Sequence, residues 1–252
     1  MGSVCKSWRS FIQSKELITV RKLAGVLEEW LYVLTMDAKG KESHWEVLDC
    51  LGHKHRRLPL MPGPVKAGFG VVVLNGKLLV MAGFSVIDGP GSASPDVYQY
   101  DSCLNSWSKL AKMNVARYEF ACAEVNGKVY AVGGYGVDGD GLSCVENGCV
   151  MVTAHAMLGE RLFCMEWKNQ RKLAIFTPED NSWKMVPVPL TGSSCIGFRF
   201  GILDGKLLLF SLQQEPGYPT LLYDPNASPG SEWRTSDIKP SGLCLCSVTI
   251  KA

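Results

Sequence analysis

Apolar and polar residues change their period once along the chain, near residue 28. Before it, Val4, Trp8, Phe11 and Ile12 recur at helical spacing, followed by Leu17, Val20, Leu23 and Ala24. Ser14 stands between the two groups as a candidate cap, with Lys15 and Glu16 opening the second helix. After it, the alternation is that of strands, beginning at Trp30-Leu31-Tyr32-Val33-Leu34. One strand–turn–strand phrase then repeats. It runs from Val73 through Asn75-Gly76 to Ala82-Gly83, from Val125 through Asn126-Gly127 to Gly133-Gly134, and from Leu203 through Asp204-Gly205 to Phe210. Asn-Gly and Asp-Gly favour the tight hairpin turn whose central residues both need positive φ.

Gly76 and Gly127 lie 51 residues apart. A repeat of about fifty residues, all β, with Gly-Gly after its inner hairpin, is the kelch pattern, in which each repeat is one propeller blade. Outer-strand markers follow the inner hairpins: Val97–Asp101 then Trp107, Ala174–Phe176 then Trp183, Leu221–Asp224 then Trp233. In this architecture the aspartate caps a turn and the tryptophan packs between blades. Trp183 and Trp233 are 50 residues apart, a full period, but Trp107 and Trp183 are 76 apart. The inner-turn glycines slip at the same place, Gly127 to Gly159 being only 32. The blade begun at Arg117-Tyr118-Glu119-Phe120 therefore lacks its outer strand. The next inner strand starts at Asn147-Gly148-Cys149-Val150. The C-terminal strand Leu243–Lys251 has no following blade, and we expect it to pair with the incomplete first one. The expected fold is an all-β kelch β-propeller of four to five blades, one defective, over residues 28–252, after a helical segment at 1–27.

Composition excludes more than it suggests. A net charge of +2 does not describe a nucleic-acid surface, and no apolar run reaches membrane-spanning length. The run His53-Lys54-His55-Arg56-Arg57 reads as a solvated loop between strands. Most of the ten cysteines stand singly beside apolar residues, and Cys244-Leu245-Cys246 places two thiols on one face of a strand. With no apolar signal core at the N-terminus, reduced thiols in the cytoplasm or nucleus are expected. The four histidines are scattered, and no metal, cofactor or catalytic motif occurs. The stretch Gly133–Gly141 is glycine-rich, but no helix follows it, so it reads as an exposed loop rather than a phosphate cradle.

Val4-Cys5-Lys6-Ser7-Trp8-Arg9, with Ser14 and Leu17 after it, resembles the second half of an F-box. Joined to kelch blades, the chain resembles a plant F-box/kelch-repeat protein over nearly its whole length. That resemblance implies a non-catalytic substrate receptor of an SCF-type ubiquitin ligase. Its F-box would dock on a Skp-type adaptor and cullin, and its propeller would hold a target protein. The Leu-Pro-x-Asp opening of an F-box is not found before Met1, and the register slip resembles a skipped exon. The alternative is a non-ligase kelch scaffold or decoy that binds targets without the adaptor. Val4, Trp8 and Phe11 either dock on the adaptor or pack as a linker helix. The loops Phe84–Pro95, Tyr135–Gly141 and Gln213–Pro219 are target-facing by position. Arg117, Tyr118 and Arg199 stand where the family often places arginines and aromatics near the central channel.

Overall fold

The computed structural model describes residues 5–12, 14–37, 42–64, 66–85, 91–142, 155–165, 171–190, 197–212 and 219–251. Two helices, α1 (Lys6–Ile12) and α2 (Lys15–Leu23), precede the strands. Ser14 takes the capping position in extended conformation, but its hydroxyl donates to the carbonyl of Phe11 and so ties the two helices together.

Among the described residues the strands form four sheets of four and two of two, the antiparallel sheets of a kelch β-propeller fold. The first holds β1 (Glu29–Met36), β2 (Ser43–Leu48) and β3 (Lys54–Arg57). Next come β4 (Gly70–Leu74) and β5 (Lys77–Met81), then a short hairpin of β6 (Phe84–Ser85) and β7 (Ser92–Ala93). The second sheet is completed by β8 (Val97–Asp101) and β9 (Ser106–Lys109). Strands β10 (Ala121–Val125) and β11 (Lys128–Val132) pair in a sheet of their own among the described residues. A fourth sheet runs β12 (His155–Leu158), β13 (Arg161–Met165), β14 (Lys172–Thr177), β15 (Ser182–Pro187). A fifth runs β16 (Phe198–Leu203), β17 (Lys206–Ser211), β18 (Thr220–Tyr223), β19 (Trp233–Ser236). Finally β20 (Leu243–Lys251) pairs with β1, giving the order β20-β1-β2-β3. The expected partnership of the C-terminal strand with the first blade is thus what the chain adopts. The Asn147–Val150 inner strand lies outside the described residues.

Turn chemistry explains the registers. Asn75 and Gly76, Asn126 and Gly127, and Asp204 and Gly205 all have positive φ, as the primed hairpin turn requires. At the outer turns Asp101 accepts the backbone N–H of Cys103 at 2.9 Å, and Asp224 that of Asn226 at 3.0 Å. The expected aspartate caps are in place.

The chain divides into two compact units. One comprises Met1–Glu28, Leu58–Asn147 and Ile250–Ala252; the other comprises Glu29–Arg57 and Gly148–Thr249. In the first, Val72, Leu79, Met81 and Val97 form a core against which Phe120, Cys122 and Val129 pack. In the second, Leu31, Val33, Leu208, Phe210 and Cys244 form one cluster, and Phe163, Leu173, Phe200, Leu209 and Tyr223 another.

Two expectations fail. The basic run 54–57 is strand β3, not a loop: its side chains are exposed, but its backbone pairs Arg57 with Glu46 and Arg56 with Val47. Solvated side chains and a paired backbone coexist in an outermost strand, so charge alone misled. Trp183 is not a buried wedge. It lies 5.1 Å from Phe176 and remains 54% exposed. Trp233, in contrast, sits 4.9 Å from Tyr223 and packs on a cluster containing Val188, the residue that follows the preceding sheet.

Candidate functional site

The sequence-derived candidates fall in three places. In α1, Trp8 and Phe11 lie one turn apart with ring centroids 6.4 Å apart, edge to face. Both are exposed, at 58% and 38%. The pair therefore does not pack as a core on this seven-residue helix. Val4 lies outside the described residues.

The second place is built from the ends of β5 and β11 and the segments that lead into β4 and β10. Gly83 and Gly134 turn the chain at positive φ just after those strands. A Cβ on Gly134 would stand 2.5 Å from the carbonyl oxygen of Tyr118, so only glycine allows the approach that follows. Phe84 and Ala67 exchange backbone hydrogen bonds at 2.8 and 2.9 Å, and one repeat later Tyr135 and Tyr118 do the same at 2.9 and 3.1 Å. This aligns Phe84, Tyr118 and Tyr135 as a ladder. Tyr118 stacks on Tyr135 at 5.5 Å and lies 4.9 Å from Phe84. The glycine-rich stretch closes as a tight hairpin, with Leu142 N–H donating to Gly134 and Gly136 N–H to Asp140. Val137 stands exposed in it. Tyr118 and two of the three proposed target-facing loops are thereby brought together. Phe84 and Tyr135 were not singled out as residues, although their 51-residue spacing matches that of the turns.

Arg117 turns inward. Its Nη1 donates to the carbonyls of Gly133 at 3.0 Å and Ala131 at 3.4 Å, and the guanidinium lies 5.9 Å from the Phe120 ring. Its Nε is buried with no hydrogen-bond partner among the described residues. Lys66, one repeat earlier, is also sunk, its side chain only 5% exposed. Its Nζ donates to Ser94 Oγ at 2.7 Å, approaches Asp96 at 3.8 Å and lies over the Tyr98 ring. Burial holds the Lys66 ammonium below its ordinary pKa, outweighing the pull of Asp96.

Arg199 belongs to the other unit. It is half-buried on β16, opposite Phe210 of β17. Nearby, burial pushes the Cys244 thiol far up, and the Arg199 charge offsets part of that rise. Residues 213–218 of the third proposed loop lie outside the described set.

One further polar cluster is structural. Asp49 Oδ2 meets His53 Nδ1 and His55 Nε2, both at 3.0 Å, while Oδ1 accepts the N–H groups of Leu51 and His53. Burial would raise this carboxyl, but those four contacts hold it well below the usual range. They brace the turn from β2 to β3. Among the described residues no group of three His, Cys, Asp or Glu side chains is arranged to hold a metal. The described candidates comprise aromatic faces and buried cations.

Comparison with known proteins agrees with this geometry. The Kelch motif matches residues 66–114 and 116–147, the two repeats that carry the aromatic ladder. The chain is similar to the F-box/kelch-repeat protein At1g67480 of Arabidopsis thaliana, at 53% identity. That alignment of 314 positions covers 100% of this chain and 84% of the relative. It is also similar to the putative F-box/kelch-repeat protein At1g27420 of the same plant, at 36% identity over 99% of this chain and 90% of the relative. A Kelch repeat and BTB domain-containing protein 12 from Danio rerio matches at 26% over 58% of this chain. The first alignment is 62 positions longer than the 252-residue chain, so this chain is the shorter over the shared stretch.

Proposed function

The chain belongs to the F-box/kelch-repeat proteins, and from that membership we propose that it is the target-recognition subunit of an SCF-type ubiquitin ligase. Its helices dock on a Skp-type adaptor bound to a cullin, and its blade sheets hold a target protein for ubiquitination. The chain carries no bond chemistry in this scheme. It raises the effective concentration of target lysines at the ubiquitin-charged enzyme.

The observation that carries this reading is the exposed Trp8–Phe11 pair. A helix that covers its own apolar face leaves little for a partner; α1 leaves two aromatic rings in water, next to a kelch fold in a chain of this family. Large aromatic anchors of this sort dominate binding energy when they are desolvated by a partner. On the target side, the Phe84–Tyr118–Tyr135 ladder supports contact through the loop ends of the sheets.

The test is capture of a purified Skp-type adaptor by the whole chain and by Trp8→Ala and Phe11→Ala variants. Retention by the parent chain is expected, and loss of about tenfold in affinity in each variant, which corresponds to about 1.4 kcal/mol. Thermal unfolding of Trp8→Ala should match the parent, since Trp8 is 58% exposed. An adaptor that ignores the parent chain would make this a kelch protein that binds targets without a ligase.

A further inference from the structure

Strand β3 meets β2 in an irregular register. Arg57 lies opposite Glu46 and Arg56 opposite Val47, but the partner of Leu48 is Lys54, so β3 carries one residue more than β2 at this point. An extra residue of this kind is a β-bulge, which re-aims the side chain it carries. That residue is His55. Its Nε2 meets Asp49 Oδ2 at 3.0 Å, and its ring stands 4.5 Å from Trp30, edge to face. His53 Nδ1 reaches the same oxygen from the turn at 3.0 Å, and Oδ1 takes the N–H groups of Leu51 and His53.

Both carboxylates that the fold brings to β3 are therefore committed elsewhere. Asp49 is held by two imidazoles and two N–H groups. Glu46, opposite Arg57, is 2% exposed and gives both oxygens to Ser241. Lys54, Arg56 and Arg57 are exposed and make no ion pair among the described residues. Their three charges exceed the net +2 of the whole chain. Crowded into four consecutive residues, they repel one another and gain from a counter-charge laid alongside. At about 3.3 Å per residue the strip is about 13 Å long, so two or three alternate carboxylates of a facing extended segment span it. At the Lys54 end it stops at acid: Asp49 lies in the turn, and the Asp204 carboxylate stands beside Cys50. A long polyphosphate running past Lys54 meets those carboxylates, whereas a short acidic segment ends before them.

We infer that Lys54, Arg56 and Arg57 on β3 form a docking strip for a short, extended acidic segment of a partner protein, with Asp or Glu at alternate positions. The two guanidinium forks take carboxylates with paired N–H donors, and Lys54 adds a point charge. A single exposed ion pair contributes little, so affinity comes from several acting on one segment. The same charge repels another basic edge, including that of a second copy of this chain. Recognition here is by side chains, and the strip is separate from both α1 and the aromatic ladder. The inference is independent of adaptor docking and of what the ladder holds.

The experiment uses the whole chain at about 50 mM salt, where exposed charges are weakly screened. The probe is a fluorescein-labelled peptide, Ser-Glu-Val-Glu-Val-Glu-Ser with blocked ends, read by anisotropy. Saturable uptake of one peptide per chain is expected, with no uptake of the same peptide carrying lysine for glutamate. Joint reversal by Lys54→Glu, Arg56→Glu and Arg57→Glu should weaken binding about tenfold or more. The reversed chain should take up the lysine peptide instead, which a misfolded chain does not do. Reversal of Arg161, Lys172 and Lys184, likewise exposed, makes the same change in net charge and should leave affinity unaltered. No saturable uptake up to about 1 mM peptide would overturn the inference. So would an equal loss in the second reversal, or a reversed chain that ignores the lysine peptide. Tighter binding of an oligothymidylate of the same charge would overturn it too, making the strip a phosphate-backbone site. None of these outcomes bears on adaptor capture by α1.

Discussion

Single side chains decide how much each sheet contributes. Trp233 and Trp183 occupy the same position in two consecutive repeats, yet one joins a core and the other meets water. We expect Trp233→Ala to cost about 3 kcal/mol in urea unfolding, as removal of a packed aromatic does, and Trp183→Ala to cost about 1 kcal/mol or less. Equal losses would mean that the exposed indole is covered in solution. Glu46 is a second decisive residue. It is only 2% exposed, and its two oxygens accept the N–H and the hydroxyl of Ser241, each at 2.7 Å. This anchors the segment that leads into β20. Glu46→Ala leaves both donors without their acceptor and should destabilise the chain by about 2 kcal/mol; Ser241→Ala alone, which keeps the N–H bond, should cost less.

At the scale of elements, the outer turns act as electrostatic clamps. Asp101 ends β8, where burial would raise its carboxyl. Lys77 Nζ at 2.6 Å and the N–H groups of Leu104 and Cys103 outweigh that burial and leave it below its ordinary value. Asp96, which precedes the same strand, is also lowered: burial opposes this, but Lys109 at 3.0 Å prevails. A carboxyl whose pKa is lower folded than unfolded contributes stability that is present above about pH 4, its unfolded value, and is lost as pH falls through the folded one. Urea midpoints should therefore be level near neutrality and decline below about pH 4. In Asp101→Asn that decline should be shallower. An identical pH profile for variant and parent would show that the clamp carries no linkage. The β3 strand teaches a related point, because its four exposed basic side chains protect an outermost edge from stray pairing.

At the scale of the whole molecule, β20 joins the first sheet to the end of the chain. It lies beside β1, some 200 residues earlier, and Cys244 packs with Leu31 and Val33. Removing residues 243–252 should uncover the edge of β1 and yield a chain that aggregates or unfolds at a markedly lower temperature. A truncated chain that melts like the parent would show that β20 is dispensable. The blade sheets and their tight turns were legible in the chain. The reason is that Asn-Gly turns, aspartate caps and a 51-residue period are local signals, each satisfied within one repeat. The partnership of β20 with β1 was legible as well, because an unmatched strand and an unfinished sheet each need an edge. Burial was not legible. Nothing near Trp183 distinguishes it from Trp233, and the difference lies in what packs on its far face. Nor did the position of Arg117 reveal that its guanidinium turns onto the carbonyls of Ala131 and Gly133, since that contact joins the segment before β10 to the end of β11. Sequence by itself determined the repeat and its turns, whereas only the tertiary structure decided which faces and charges were buried, because burial belongs to pairs of distant segments and not to either one.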